Sequence, residues 1–266
     1  MKKKLVELRR QHKRLIDYIK NNVIEETKST ALVEHLLLTA SYSAEIAESE
    51  KLNTSLFFVA GLLHDIGKFR ARRENLEEDT VSAELARRIL GELGYPSELV
   101  DEVSRILSGR HQYSEIISDA DILAKLGSLA LLESGVKWGV RGAGFFTALI
   151  STLPRLLTII YNIDKLLSTN YAKQVARKLS EISMQQVHSV IDQLREVGIE
   201  LVVELEETDI AKIAVVRLTN CLYCGSKIEL KVEQTTGKCY GAVLVYTCSN
   251  CNWVARSTLC IPVHHM

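Results

Sequence analysis

Val59-Ala60-Gly61-Leu62-Leu63-His64-Asp65-Ile66-Gly67-Lys68 is an apolar run that finishes in two adjacent residues able to bind a metal ion. Asn53-Thr54 ahead of it supplies an N-cap, so the segment is expected as a helix from that cap to Gly67. Adjacent helical residues diverge by about 100°. His64 and Asp65 therefore reach one ion only if it sits over the helix end, where Gly67 is expected to place the terminus. Two further ligand-type residues lie on apolar segments. His35 is 29 positions earlier on a leucine-rich stretch, and Asp121 lies in Ser118-Asp119-Ala120-Asp121-Ile122-Leu123, a helix with acidic residues on its inner side.

The surrounding chain has the same helical character. From residue 1 to about 198 apolar positions recur at three and four, and glycine and proline are sparse. Helices are expected within 3–26, after Ser29-Thr30, after Asp79-Thr80 to Gly91–Gly94, from Pro96 to Gly109, over 114–135 and over 145–197. The apolar stretch Ala143–Ile163 contains Pro154-Arg155, which argues against a membrane span and for a helix pair bent at Pro154. Near Gly198 the pattern changes to short β-branched runs, Glu200–Glu206 and Ile213–Leu218. The expected fold class is therefore mainly α, a multi-helix bundle over 1–198 with a small β-rich domain over 199–266.

Bulk properties narrow the function. Apolar residues make up 47% and charged residues 25%, as in an ordinary globular protein. Basic and acidic residues both total 33, so no global charge draws the chain to nucleic acid or an anionic membrane. The segment Lys2–Arg14 is locally basic; a solvated helix face is the default reading, with a nucleic-acid contact as the alternative. The N-terminus leads into an amphipathic stretch and not a signal peptide, so a cytoplasmic location is expected.

Taken together, His35, His64-Asp65 and Asp121 resemble the motif order of the HD superfamily of metal-dependent phosphohydrolases, over about residues 30–135. The resemblance implies His35, His64, Asp65 and Asp121 as ligands of a divalent ion (Mn, Fe, Co, Ni, Mg or Zn), with water activated on it attacking a phosphoester. It implies Asp65 and Lys68 as catalytic residues. Lys68 follows the His-Asp-x-Gly-Lys form, in which the lysine contacts phosphate; interaction with a helix C-terminal dipole is the plainer reading. Arg110 and His111 are candidates for a phosphate or second-ion contact, and Arg141 for a substrate contact. Glu78 stands roughly where binuclear relatives carry a histidine, which favours a single ion. His12 and His188 lack ligand-type companions and are expected to be structural or exposed.

All six cysteines follow residue 220. Cys221-x-x-Cys224 and Cys248-x-x-Cys251 are two knuckles separated by strand-like residues, the spacing of a structural zinc ribbon, with Cys239 and Cys260 outside the set. Four cysteines leave zinc no open position, so this site is expected to be structural. The sequence thus points to a phosphohydrolase of a nucleotide or related small molecule. Alternatives are an HD-type nuclease on single-stranded DNA or RNA with the ribbon as nucleic-acid module, and a non-catalytic nucleotide sensor. The apolar Ala143–Ile163 helices make a homodimer an expectation; no membrane partner is expected.

Overall fold

The structure, a computed structural model, describes residues 2–27, 30–140, 142, 144–207, 211–235, 239–259 and 261–262. By its contacts the chain divides into two compact units, one of residues 1–124 and 168–174, the other of 125–167 and 175–266. The change from helix to strand falls elsewhere, between the last helix, which ends at Glu196, and the first strand, which starts at Leu201.

The first unit is helical: α1 (Lys2–Gln11), α2 (Lys13–Thr27), α3 (Ala31–Ser49), α4 (Thr54–Leu63), α5 (Lys68–Glu74), α6 (Glu78–Glu92), α7 (Ser97–Leu107) and α8 (Glu115–Ala124). At its centre is α4, buried at every residue but Ser55. Asn53 caps it, its side chain accepting from Ser55 N (3.1 Å) and Leu56 N (3.2 Å). A helix that is apolar on every face belongs in a core. Burying Phe57 and Phe58 alone contributes about 2–3 kcal/mol each. Gly61 lets α3 approach closely, because a Cβ there would lie 2.7 Å from the Ala40 Cα.

Helix ends differ from the sequence expectation in four places. The first expected helix breaks at His12, which is buried and joined to Tyr95 Oη (Nδ1, 2.9 Å) and Ser55 Oγ (Nε2, 2.8 Å). α4 stops at Leu63, and Gly67 does not end it: Gly67 is right-handed (φ −86°) and precedes α5. Its lack of a side chain matters instead for packing, since a Cβ would meet Ser82 N at 2.6 Å, and its own N–H donates to Ser82 Oγ (3.1 Å). α6 begins at Glu78, ahead of the expected Asp79-Thr80 cap. The expected helix over 114–135 is split because Gly127 takes a left-handed φ of +78°.

The second unit contains α9 (Gly127–Val140), α10 (Phe145–Tyr161), α11 (Ile163–Leu166), most of α12 (Asn170–Glu196) and six strands. α10 runs as one helix through Pro154, so the expected division of this stretch at Pro154 is not found; it ends at Tyr161, before Asn162. The Asn162 side chain bonds Thr158 O (2.6 Å) at the helix end and both Lys212 N (3.0 Å) and Lys212 O (2.7 Å). β1 (Leu201–Glu207) and β2 (Lys212–Leu218) form an antiparallel pair, and β2 packs on α10. β3 (Glu229–Thr235), β4 (Cys239–Thr247), β5 (Val254–Thr258) and the short β6 (Ile261–Pro262) form an antiparallel sheet with β4 central. Among the described residues, no helix is long and apolar enough to cross a membrane.

Candidate metal centre

Three separate segments of the first unit bring the four His-Asp residues together. His35 comes from α3, His64 and Asp65 from the turn after α4, and Asp121 from α8. Ligand atoms of His35, His64 and Asp121 all lie within 4.8 Å of one another. His35 Nε2 is 3.1 Å from Asp121 Oδ1, and His64 Nε2 is 3.7 Å from the same oxygen. Asp65 faces the same space, 4.0 Å from His35 Nε2 and 3.7 Å from His64 Nε2. Bonds of about 2.0–2.2 Å to one ion set neighbouring donors roughly 3–3.5 Å apart, so only small shifts would close this set on a metal.

His64 is oriented for that role. Its Nδ1–H donates to Gly61 O (2.9 Å), which fixes the tautomer and leaves the lone pair on Nε2 facing inward. That buried Nε2 has no hydrogen-bond partner, a cost that a metal ligand would remove. The donor set of two imidazoles and two carboxylates suits a divalent ion.

Three charged side chains complete the site. Lys68, at the start of α5, is hydrogen-bonded to Asp65 and lies 3.5 Å from Glu78 at the start of α6. Burial would raise the Asp65 pKa, but His64 and Lys68 hold its carboxyl well below the usual range. Lys68 is disfavoured by burial, yet Asp65, Glu78 and Asp121 outweigh that and raise it, so it stays charged. Burial, and a hydrogen bond shared with Asp65, raise Glu78. The Lys68 ammonium thus sits between two carboxylates, at the start of a helix and not at the C-terminus on which the dipole reading rested.

Other predicted residues lie differently. His111 packs edge-on against Phe57 (6.1 Å between centroids), and its Nδ1 accepts from Tyr113 N (3.2 Å). Neither it nor the exposed Arg110 joins the ligand group among the described residues. Arg141 lies outside the described residues. Asp119 and Asp121 share a helix but part in role: Asp119 accepts from Ser168 N (2.9 Å), Thr169 N (2.8 Å) and Thr169 Oγ1 (2.7 Å), tethering the turn before α12. Glu78, set by the sequence analysis where binuclear relatives carry a histidine, was given no role there; the structure pairs it with Lys68, and Gly67 and Ser82 draw the two helices together.

The cysteine cluster belongs to the second unit. Cys221, Cys224, Cys248 and Cys251 have sulfurs within 4.8 Å of one another, with Cys221 to Cys251 at 3.4 Å and Cys224 to Cys248 at 3.5 Å. A disulfide needs about 2.05 Å, whereas zinc–sulfur bonds of about 2.3 Å place sulfurs roughly 3.7 Å apart. The donor set therefore fits zinc. Each knuckle turns the same way: Gly225 (φ +72°) follows Cys224 and Asn252 (φ +56°) follows Cys251, the two residue types that adopt left-handed backbone most readily. Cys260 and the side chain of Cys239 lie outside the described residues.

Residues 32–130 match the family model described as HD domain, a span that includes His35, His64, Asp65, Lys68, Glu78 and Asp121. No curated protein matches the chain. Among solved structures, Bacillus subtilis YpgQ in complex with ADP is similar, at 21% identity and a TM-score of 0.52 over 67% of this chain and 97% of that one. An HD-superfamily hydrolase from Bacillus thuringiensis aligns at 20% identity and a TM-score of 0.53, over 71% and 98%. A predicted HD-superfamily hydrolase from an uncultured Thermotogales bacterium aligns at 21% and 0.50, over 68% and 92%. Residues 32–130 thus match an HD domain, and the fold is similar to that of solved HD-superfamily hydrolases.

Proposed function

We propose that this chain is a metal-dependent phosphohydrolase whose substrate is a nucleotide or a related small phosphoester. The convergence of His35, His64, Asp65 and Asp121, with Lys68 at the rim, carries this reading. A divalent ion held there supplies Lewis acidity, which polarises a phosphoryl group and acidifies water. Gly61 O keeps His64 turned inward, and Glu78 holds the Lys68 ammonium on the side where Asp65 lies. Lys68 is the phosphate clamp, a point charge able to follow an oxygen as charge builds on it. The nucleotide as substrate class draws support from a neighbour of the same fold solved with ADP. In the second unit, the four cysteines hold a structural zinc, and the module is a zinc ribbon.

A second reading has one observation in its favour. Tyr223, in the first knuckle, is 63% exposed and lies 6.4 Å from the Trp253 ring, an aromatic pair on which unpaired bases could stack, as a nuclease would require. The test is metal-supplemented hydrolysis of a nucleotide panel and of labelled single-stranded DNA and RNA by wild type, Asp65→Ala and Lys68→Ala. Phosphate release from nucleotides, abolished in Asp65→Ala and weakened mainly in KM by Lys68→Ala, supports the proposal. Cleavage of strands alone would replace it with the nuclease, and tight nucleotide binding without turnover would replace it with a sensor.

A further inference from the structure

The hydrogen bonds of β2 show which way the backbone of β1 faces. Lys212 bonds the Asn162 side chain through both its N–H and its C=O, Ala214 N–H donates to Thr158 Oγ1 (3.0 Å), and Val216 O accepts from Tyr246 Oη (2.5 Å). These three residues therefore turn their backbone groups away from β1. In an antiparallel ladder, opposed residues point either both toward each other or both away. Val203 opposite Val216, Leu205 opposite Ala214 and Leu201 opposite Leu218 accordingly present N–H and C=O at the outer edge of β1. Side chains bond four of the outward groups of β2, those of Lys212 N and O, Ala214 N and Val216 O. Among the described residues no strand pairs with the outer edge of β1, and no backbone partner meets these three residues there.

An unpaired strand is usually blunted by charge or covered. Here Val202 is 44% and Leu205 41% exposed. Beside the edge runs a mostly apolar groove of about 360 Å³, with Leu157 and Tyr161 of α10 and Met184, Val187 and Ile191 of α12 set against Leu201–Val203; His188 and Arg195, the latter bonded to Asp192 (3.0 Å), complete its lining. A row of backbone donors and acceptors next to an apolar groove is what an added strand uses: the main chain supplies affinity, and alternate side chains fill the groove.

Charge selects the occupant. Glu200, Glu204, Glu206 and Glu207 lie on or beside this strand, and across the pair only Lys212 and Arg217 answer them, bonded to Glu207 (3.2 Å) and Glu204 (2.5 Å). A second copy of the chain fits poorly. An antiparallel self-pairing through Leu201, Val203 and Leu205 opposes Glu200 to Glu206 when centred on Val203. Centred on Glu204 it opposes Glu204 to itself, and centred on Leu205 it opposes Glu204 to Glu206. Like charges directly opposed across strands destabilise the pairing. We propose that β1 is a docking edge for an extended peptide segment of another protein, one that alternates basic and apolar residues and adds to β1 as a third strand.

The test uses the full-length, zinc-loaded chain and a blocked octapeptide of alternating lysine and valine. Saturable binding is expected, weakened at least tenfold by Val203→Pro. That substitution removes an outward N–H and leaves the β1–β2 ladder its own bonds, so circular dichroism should be unchanged. If Val203→Pro fails to fold, the wild type is titrated with the same peptide N-methylated at alternate residues, which should bind at least tenfold more weakly. Hydrogen exchange should slow at Leu201, Val203 and Leu205 on binding. Equal affinity for the methylated peptide, equal affinity for a glutamate–valine peptide, or unchanged exchange at the three amides would overturn the proposal. Concentration-dependent self-association abolished by Val203→Pro would also overturn it, and would make the edge a homodimer interface.

Discussion

The chain carries two candidate ligand sets, of His-Asp residues and of cysteines, built in opposite ways. The His-Asp set is collected from α3, the turn after α4, and α8, positions that span residues 35 to 121. The cysteine set is two copies of one local turn, each closed by a left-handed residue, Gly225 or Asn252. In the first, the core builds the site and would persist without the ion. In the second, little apolar burial surrounds Cys224 and Cys251, both exposed, so the ion is expected to hold the turns together. The difference separates a site assembled by a helical core from one closed by two local turns.

Removing metal should expose that contrast most strongly. A structural zinc contributes on the order of 10 kcal/mol to folding of a small module. Chelation, or Cys221→Ser, is therefore expected to release one zinc and abolish exchange protection over β3–β5, with α3, α4 and α8 still protected. Loss of protection in the helices as well would show that the two sets are not independent. Next in size, Asp65→Ala should weaken divalent-ion binding by more than about 100-fold, since it removes a ligand and leaves Lys68 facing the imidazoles. Calorimetry measures this directly, and an unchanged affinity would remove Asp65 from the set.

Smaller effects test the supports of the helical site. Gly67→Ala would push a Cβ to 2.6 Å from Ser82 N, so α5 and α6 must part, at about 1–3 kcal/mol in denaturant unfolding. It should also raise KM, because Glu78 and Lys68 ride on those two helices. Gly225→Ala, in the cysteine set, meets nothing within 4 Å and costs only its left-handed backbone, about 1 kcal/mol. The smallest effect concerns His12. Burial lowers its pKa below the ordinary 6.5, so the folded state binds fewer protons than the unfolded one. The stability it contributes is present above pH 6.5 and falls as pH drops toward its lowered folded value, with a slope of at most about 1.4 kcal/mol per pH unit. His12→Gln should flatten that slope in pH-dependent melts.

Much of both sets was legible in the amino-acid order because the information there is local. Apolar periodicity marked α3, α4 and α8 as buried helices, and a ligand on an inward face must point into the core. The Cys-x-x-Cys spacing encodes its own turn, down to the glycine and asparagine that follow. The strands at 201–207 and 212–218 were visible in β-branched runs for the same reason.

Tertiary structure decided what depends on which segments meet. Periodicity could not separate Asp119 from Asp121, two positions apart on one apolar helix; the turn at Ser168-Thr169 claims the first, and His35 and His64 face the second. Gly67 read as a helix stop, and its reason is a contact with Ser82 fifteen residues on. Glu78 looked like a departure from a pattern until α6 brought it to Lys68. Composition suggested that β1 was a strand, but only the side chains of Asn162, Thr158 and Tyr246 along β2 showed which edge stays open. The physical reason is common to all four: propensity and periodicity act over a few residues, whereas a partner across space is chosen by the packing of the whole core.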